Sequence, residues 1–86
     1  VTGFTIYPNP VRADQKISYK AANMEKGNYN LRIYNSFGQL VSKTTLYHTG
    51  GPVNRELSIP LNSTPGKYTL QLEKEARFTS YYFIVN

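Results

Sequence analysis

The sequence has no cysteine, no tryptophan and one histidine, His48. Without thiols no disulfide can staple the fold, and a lone imidazole with no cysteine cannot assemble a usual structural zinc site. Acidic residues are also few: Asp14, Glu25, Glu56, Glu73 and Glu75 stand against ten Lys and Arg. Catalysis by paired carboxylates needs two acids converging on a cleft. Only Glu73 and Glu75 are close neighbours, and a hairpin turn there is expected to place both in solvent. A Ser–His–acid relay needs an imidazole oriented by a buried carboxylate. His48, at a strand end beside Gly50-Gly51, reads instead as a surface loop residue. The chain has no G-x-G-x-x-G or P-loop pattern and no acidic calcium loop. These absences exclude the familiar routes to catalysis, and no enzyme activity, metal or other cofactor is expected.

No segment approaches the roughly 20 apolar residues needed to cross a bilayer as a helix. No basic stretch followed by an apolar one opens the chain, so any export signal is expected on sequence preceding Val1. The missing Cys and Trp also remove the hallmark pair of antibody domains, so any immunoglobulin likeness must be architectural.

What is present is core material. Of 86 residues, 40% are hydrophobic, including eight Tyr and four Phe. Large aromatics each bury about 150–250 Å², which helps a small chain offset its ordering entropy. One domain over residues 1–86 is expected, since a chain this short holds a single core. The net charge of +5 admits an anionic partner, but the basic residues are spread from Arg12 to Arg77 without a cluster. They read as a solvated surface, with lysines discouraging edge-to-edge aggregation.

Period-two alternation bounded by Gly, Pro and Asn recurs along the chain, the signature of short strands. Phe4-Thr5-Ile6-Tyr7 alternates and stops at Pro8-Asn9-Pro10, which marks an edge strand leaving its sheet. Lys16 to Lys20 forms a second strand with Ile17 and Tyr19 on one face, and Met24-Glu25-Lys26-Gly27-Asn28 reads as a turn. Tyr29, Leu31 and Ile33 define a third strand. It is joined through Asn35-Ser36-Phe37-Gly38 to a fourth (Leu40 to Tyr47), whose register Leu40-Val41 leaves ambiguous. Val53, Leu57 and Ile59 share a face of a fifth, with Arg55 an exception at a fraying start, and Pro60 to Gly66 is a loop. Tyr68, Leu70 and Leu72 mark a sixth strand, and Glu73-Lys74-Glu75-Ala76-Arg77 a charged turn. In the last strand, Phe78 to Val85, residues Tyr81 to Val85 form an unbroken apolar run. That run predicts either cover on both faces or a strand awaiting a partner. The expected fold is an all-β, immunoglobulin-like, two-sheet antiparallel sandwich of about seven strands.

Two binding classes follow from the aromatics. Tyr34, Tyr47 or Tyr81 on a polar strand face would suit stacking against sugar rings, giving a carbohydrate-binding or adhesive module. The same residues equally serve as cross-strand cover. Aromatics interleaved with basic residues also suit single-stranded nucleic acid, but the dispersed charge argues against that.

Four ordered elements resemble the C-terminal sorting domains of the type IX secretion system, type A, of the Bacteroidetes. Tyr7-Pro8-Asn9-Pro10 looks like the family's Y-P-N-P motif. Leu31-Arg32-Ile33-Tyr34-Asn35 followed by Gly38-Gln39-Leu40-Val41 is similar to its hairpin motif. Leu61 with Gly66-Lys67-Tyr68-Thr69-Leu70-Gln71-Leu72 is similar to its G-x-Y-x-l-x-l strand, and Tyr82-Phe83-Ile84-Val85 to its apolar terminal strand. The chain departs from the family in having Ser80-Tyr81-Tyr82 where a Lys is frequent, and Asn86 where Lys or Gln often ends the chain. The resemblance implies a passenger on the N-terminal side, carried into the periplasm and recognised by an outer-membrane translocon. A sortase-like cysteine protease would then remove the domain and anchor the passenger at the cell surface, although some members of the family keep the domain; either way the passenger ends at the cell surface or secreted. The recognition residues expected on that basis are Tyr82, Phe83, Ile84 and Val85.

Overall fold

The computed structural model describes residues 3–13, 15–57 and 64–86. Among them there is no helix, and seven strands follow in order: β1 (Thr5–Tyr7), β2 (Ile17–Met24), β3 (Gly27–Tyr34), β4 (Leu40–His48), β5 (Gly51–Leu57), β6 (Gly66–Lys74) and β7 (Arg77–Val85). They form a three-stranded sheet, β1-β2-β5, and a four-stranded sheet, β4-β3-β6-β7. Every strand pairing is antiparallel. The two sheets close over one core as an immunoglobulin-like sandwich. The expected Ile59, the loop from Pro60 and the motif residue Leu61 lie outside the described residues.

Alternation explains the core. Successive strand side chains point to opposite faces, so one parity of each strand is turned inward. Ile17, Tyr19 and Ala21 from β2 meet Tyr29, Leu31 and Ile33 from β3, Tyr68, Leu70 and Leu72 from β6, and Phe83 and Val85 from β7. Each large apolar side chain so buried contributes about 1.5–3 kcal/mol. Two tyrosines in this layer also find acceptors one turn back along the chain. The Tyr29 hydroxyl donates to the Glu25 carbonyl at 2.8 Å and the Tyr68 hydroxyl to the Thr64 carbonyl at 2.7 Å.

Several connections differ from the sequence reading. β2 runs on to Met24, because Ala21 and Met24 both face inward on either side of a register shift against β5. Met24 is therefore core, and only Glu25-Lys26 cross from one sheet to the other. In the β3–β4 hairpin a register shift between Ile33 and Tyr34 pairs Ser42 with Ile33 and Leu40 with Tyr34. Val41 is the extra residue and packs on the core, while Leu40 is exposed. A bulge thus resolves the ambiguity of Leu40-Val41. Arg55 is not at a frayed start. It sits mid-strand opposite Tyr19, its side chain exposed at the rim because β5 is an edge strand.

The charged turn between β6 and β7 is tighter than expected. Only Glu75 and Ala76 leave the ladder, both left-handed at φ 53° and 61°, the pair a two-residue type I′ hairpin requires. Glu73 consequently stays in β6. Its carboxylate accepts from Arg32 at 2.7 Å and from Asn30 at 3.3 Å, half-buried on the outer face rather than free in solvent. These hydrogen bonds, above all the one from Arg32, hold the Glu73 carboxyl below the ordinary carboxylate range.

His48 is likewise corrected. It is buried at 4% exposure, with its ring edge-on to Tyr29 at 5.0 Å and to Tyr19 at 6.4 Å. Gly27 lies opposite it on β3, so the last residue of β4 still faces inward. Burial first, and the charge of Arg55 second, push the imidazole below its ordinary value. Tyr81, considered above as a surface aromatic, also packs inward. Phe4 stacks between it (4.0 Å between ring centroids) and Tyr19 (5.5 Å), closing that side of the sandwich.

Candidate functional site

The four residues of the terminal strand singled out by the sequence divide by parity. Phe83 and Val85 face inward at 1% exposure each and belong to the core. Tyr82 and Ile84 face outward and are exposed. Beside them, opposite Ile84 on β6, is Lys67, whose ammonium lies 4.3 Å from the centroid of the Tyr82 ring. Cross-strand register extends this surface along the sheet: Tyr82 is opposite Thr69, Thr69 opposite Tyr34, and Tyr34 opposite Leu40. Exposed Phe37 caps the adjoining hairpin tip. From Tyr82 to Val85, β7 is therefore covered on one face and bare on the other, with large apolar side chains on both.

The edge of β7 is also divided. Val11 makes a parallel bridge to Val85. Its N–H donates to the Ile84 carbonyl, and its own carbonyl accepts from the Asn86 N–H, both at 2.8 Å. The side chain of Asn9 completes this strap by accepting from the Ile84 N–H at 2.9 Å. Val11 itself is fully buried. Sequence reading missed this role for Asn9 and Val11. Two prolines around one asparagine signal that the chain leaves β1, but not that it lands on a strand seventy residues later.

The other motif residues are placed by the same geometry. The Tyr7 hydroxyl donates to the Asn54 side chain at 2.6 Å across the sheet, and Lys20 lies over its ring. Pro8 and Pro10 flank Asn9, and both preceding peptide bonds are cis. Gly38, at φ 81°, closes the β3–β4 hairpin, where the Asn35 side chain accepts from the N–H groups of Phe37 and Gln39. Gly66 opens β6 at φ 146°, and a Cβ on it would meet that of Ser36 at 2.8 Å. That close approach is the reason a glycine stands there. Among the described residues no group of three or more His, Cys, Asp or Glu is arranged to hold a metal ion. No helix among them is long and apolar enough to cross a membrane.

The sequence profile of the family described as "Secretion system C-terminal sorting domain" matches residues 5–86. The chain belongs to this family. It is a sorting signal of the type IX secretion system, and so part of a secreted or cell-surface protein that engages that system. None of the curated proteins matches the chain. Among solved structures, the fold is similar to PorZ, an essential bacterial surface component of the type-IX secretion system of Porphyromonas gingivalis. The TM-score is 0.69 at 19% identity, over 98% of this chain and 11% of the PorZ chain. At that identity the likeness concerns the fold.

Proposed function

We propose that this sorting domain forms one unit over residues 1–86 that performs no reaction and is read by the outer-membrane translocon after its passenger reaches the periplasm. The passenger precedes it in the chain. A sortase-like cysteine protease then cuts between passenger and domain and anchors the passenger at the cell surface, so that the sandwich is substrate and address rather than catalyst. The reading surface is the terminal strand. Phe83 and Val85 serve by holding β7 on the core, and Tyr82 and Ile84 by offering an apolar outer face.

The single observation that carries this reading is the exposure of Tyr82 and Ile84 at 55% and 40% where their neighbours Phe83 and Val85, on the opposite face, are buried. An apolar pair left in water on a bare sheet face contributes nothing to the core and marks an interaction surface. The test is a Tyr82→Ser, Ile84→Ser double variant on a passenger fusion, which spares every inward side chain. The passenger is expected to remain in the periplasm while the domain melts as the parent does. Unchanged surface delivery of that variant refutes the assignment. Removing residues 78–86 should also abolish delivery, but it deletes a core strand and needs a folding control.

A further inference from the structure

Each sheet of a sandwich ends in two edge strands, and exposed edges are templates for unwanted pairing unless they are blunted. Three of the four here carry such devices. β1 has three residues and runs into Pro8 and Pro10. β4 is broken by the bulge at Val41 and carries Lys43, and β5 carries Pro52, Arg55 and Glu56. β7 carries only Arg77, at its very start: from Phe78 to Val85 it contains no charge, no proline and no glycine.

The strap identifies which β7 backbone groups point outward. Both the N–H and the carbonyl of Ile84 bond to the Asn9–Val11 segment, so Ile84 faces away from β6. Antiparallel ladders alternate residue by residue, so Phe78, Ser80 and Tyr82 present their N–H and carbonyl groups on the same free edge. Among the described residues none of these six groups has a backbone partner on that side. The open window is thus bounded by the Glu75-Ala76 turn at one end and by the strap at the other.

We infer that the Phe78–Tyr82 edge accepts an extended strand of the secretion machinery, added antiparallel and centred on Ser80. This rests on the reading of the chain as a sorting signal, and puts the backbone contact at Phe78–Tyr82 because the strap already occupies the edge at Ile84. A second copy of the domain fits the window poorly. Pairing about Ser80 would bring the partner's Ala76 turn to the level of Ile84, where Asn9 sits. A strand from another protein is free of that turn. Arg77 beside the window and Lys67 near its far end have no carboxylate partner among the described residues. The incoming strand is therefore expected to be apolar at its centre and acidic at an end.

Ser80→Pro on the passenger fusion tests this, because it deletes an N–H directed away from β6 and leaves the β6–β7 ladder its bonds. With a melting temperature within about 5 °C of the parent, surface delivery should fall about tenfold, the effect of one forfeited strand bond and the ring's bulk. Ser80→Ala should deliver normally. Normal delivery by folded Ser80→Pro, or an equal loss in Ser80→Ala, overturns the inference. If Ser80→Pro does not fold, Ser80→Cys replaces it. Protection of that thiol from maleimide by outer-membrane vesicles containing the secretion system, and not by vesicles lacking it, supports strand addition, and absence of protection overturns it. Concentration-dependent dimerisation of the domain that Ser80→Pro abolishes would assign the edge to a second copy, and also overturns it. Should Ser80→Pro deliver normally while Tyr82→Ser, Ile84→Ser fails, the side-chain reading stands and only the edge is refuted.

Discussion

Acidification from pH 7.5 to 5.5 should destabilise the domain through His48. The imidazole is held below its ordinary value of 6.5 by burial and then by Arg55, and its Nε2 has no hydrogen-bond partner among the described residues. The unfolded chain therefore binds a proton at a pH where the folded one does not. Stability from this source is complete above the unfolded value, falls as the pH drops through it, and levels off once the folded value is passed. For one group the slope cannot exceed about 1.4 kcal/mol per pH unit, and with an unfolded value of 6.5 the change between pH 7.5 and 5.5 is at most about 1.4 kcal/mol. In a domain of this size that is a fall of about 5–10 °C in melting temperature. His48 is the only histidine, and Glu73 is held below the ordinary carboxylate range by Arg32, so few other groups confuse the reading. Thermal unfolding followed by circular dichroism across this range, in the parent and in His48→Leu, measures it. The variant should be flat. An equal acid slope in His48→Leu, or a flat parent, refutes the argument.

Tyrosine hydroxyls supply a second comparison. Tyr29→Phe and Tyr68→Phe each forfeit a bond to a backbone carbonyl and should each cost about 1 kcal/mol in denaturant titration. Tyr19→Phe, whose buried hydroxyl has no partner among the described residues, should be neutral or stabilising. Ala76→Gly relieves a left-handed residue at φ 61° and should stabilise by about 1 kcal/mol, read as slower unfolding or a raised midpoint. Gly66→Ala places a methyl 2.8 Å from the Cβ of Ser36 at φ 146° and should cost about 1–3 kcal/mol. Asn9→Ala removes the acceptor for the Ile84 N–H, and hydrogen exchange at that amide should accelerate several-fold while core amides of β3 are unaffected.

The motif residues now have distinct physical tasks. Asn9 and Val11 secure the last strand, Gly66 lets β6 pass Ser36, and Tyr68 ties β6 to the chain four residues before it. Each is a backbone or packing duty.

Period-two alternation was enough to name the inward residues of β3 and β6, because each strand in a sandwich must bury one parity whichever neighbours it has. Proline and glycine likewise marked where β1 stops and the β3–β4 hairpin turns, since those residues restrict or free the backbone locally. Pairing across the fold was decided elsewhere. Whether His48 is buried depends on Tyr19 and Tyr29 lying against it, and whether Glu73 is solvated depends on Arg32 standing opposite on another strand. The faces of the apolar run Tyr81–Val85 could not be assigned from a pattern with no polar residue in it. Only the second sheet beneath, and the strap along its edge, distinguish core from exposed face and closed edge from open.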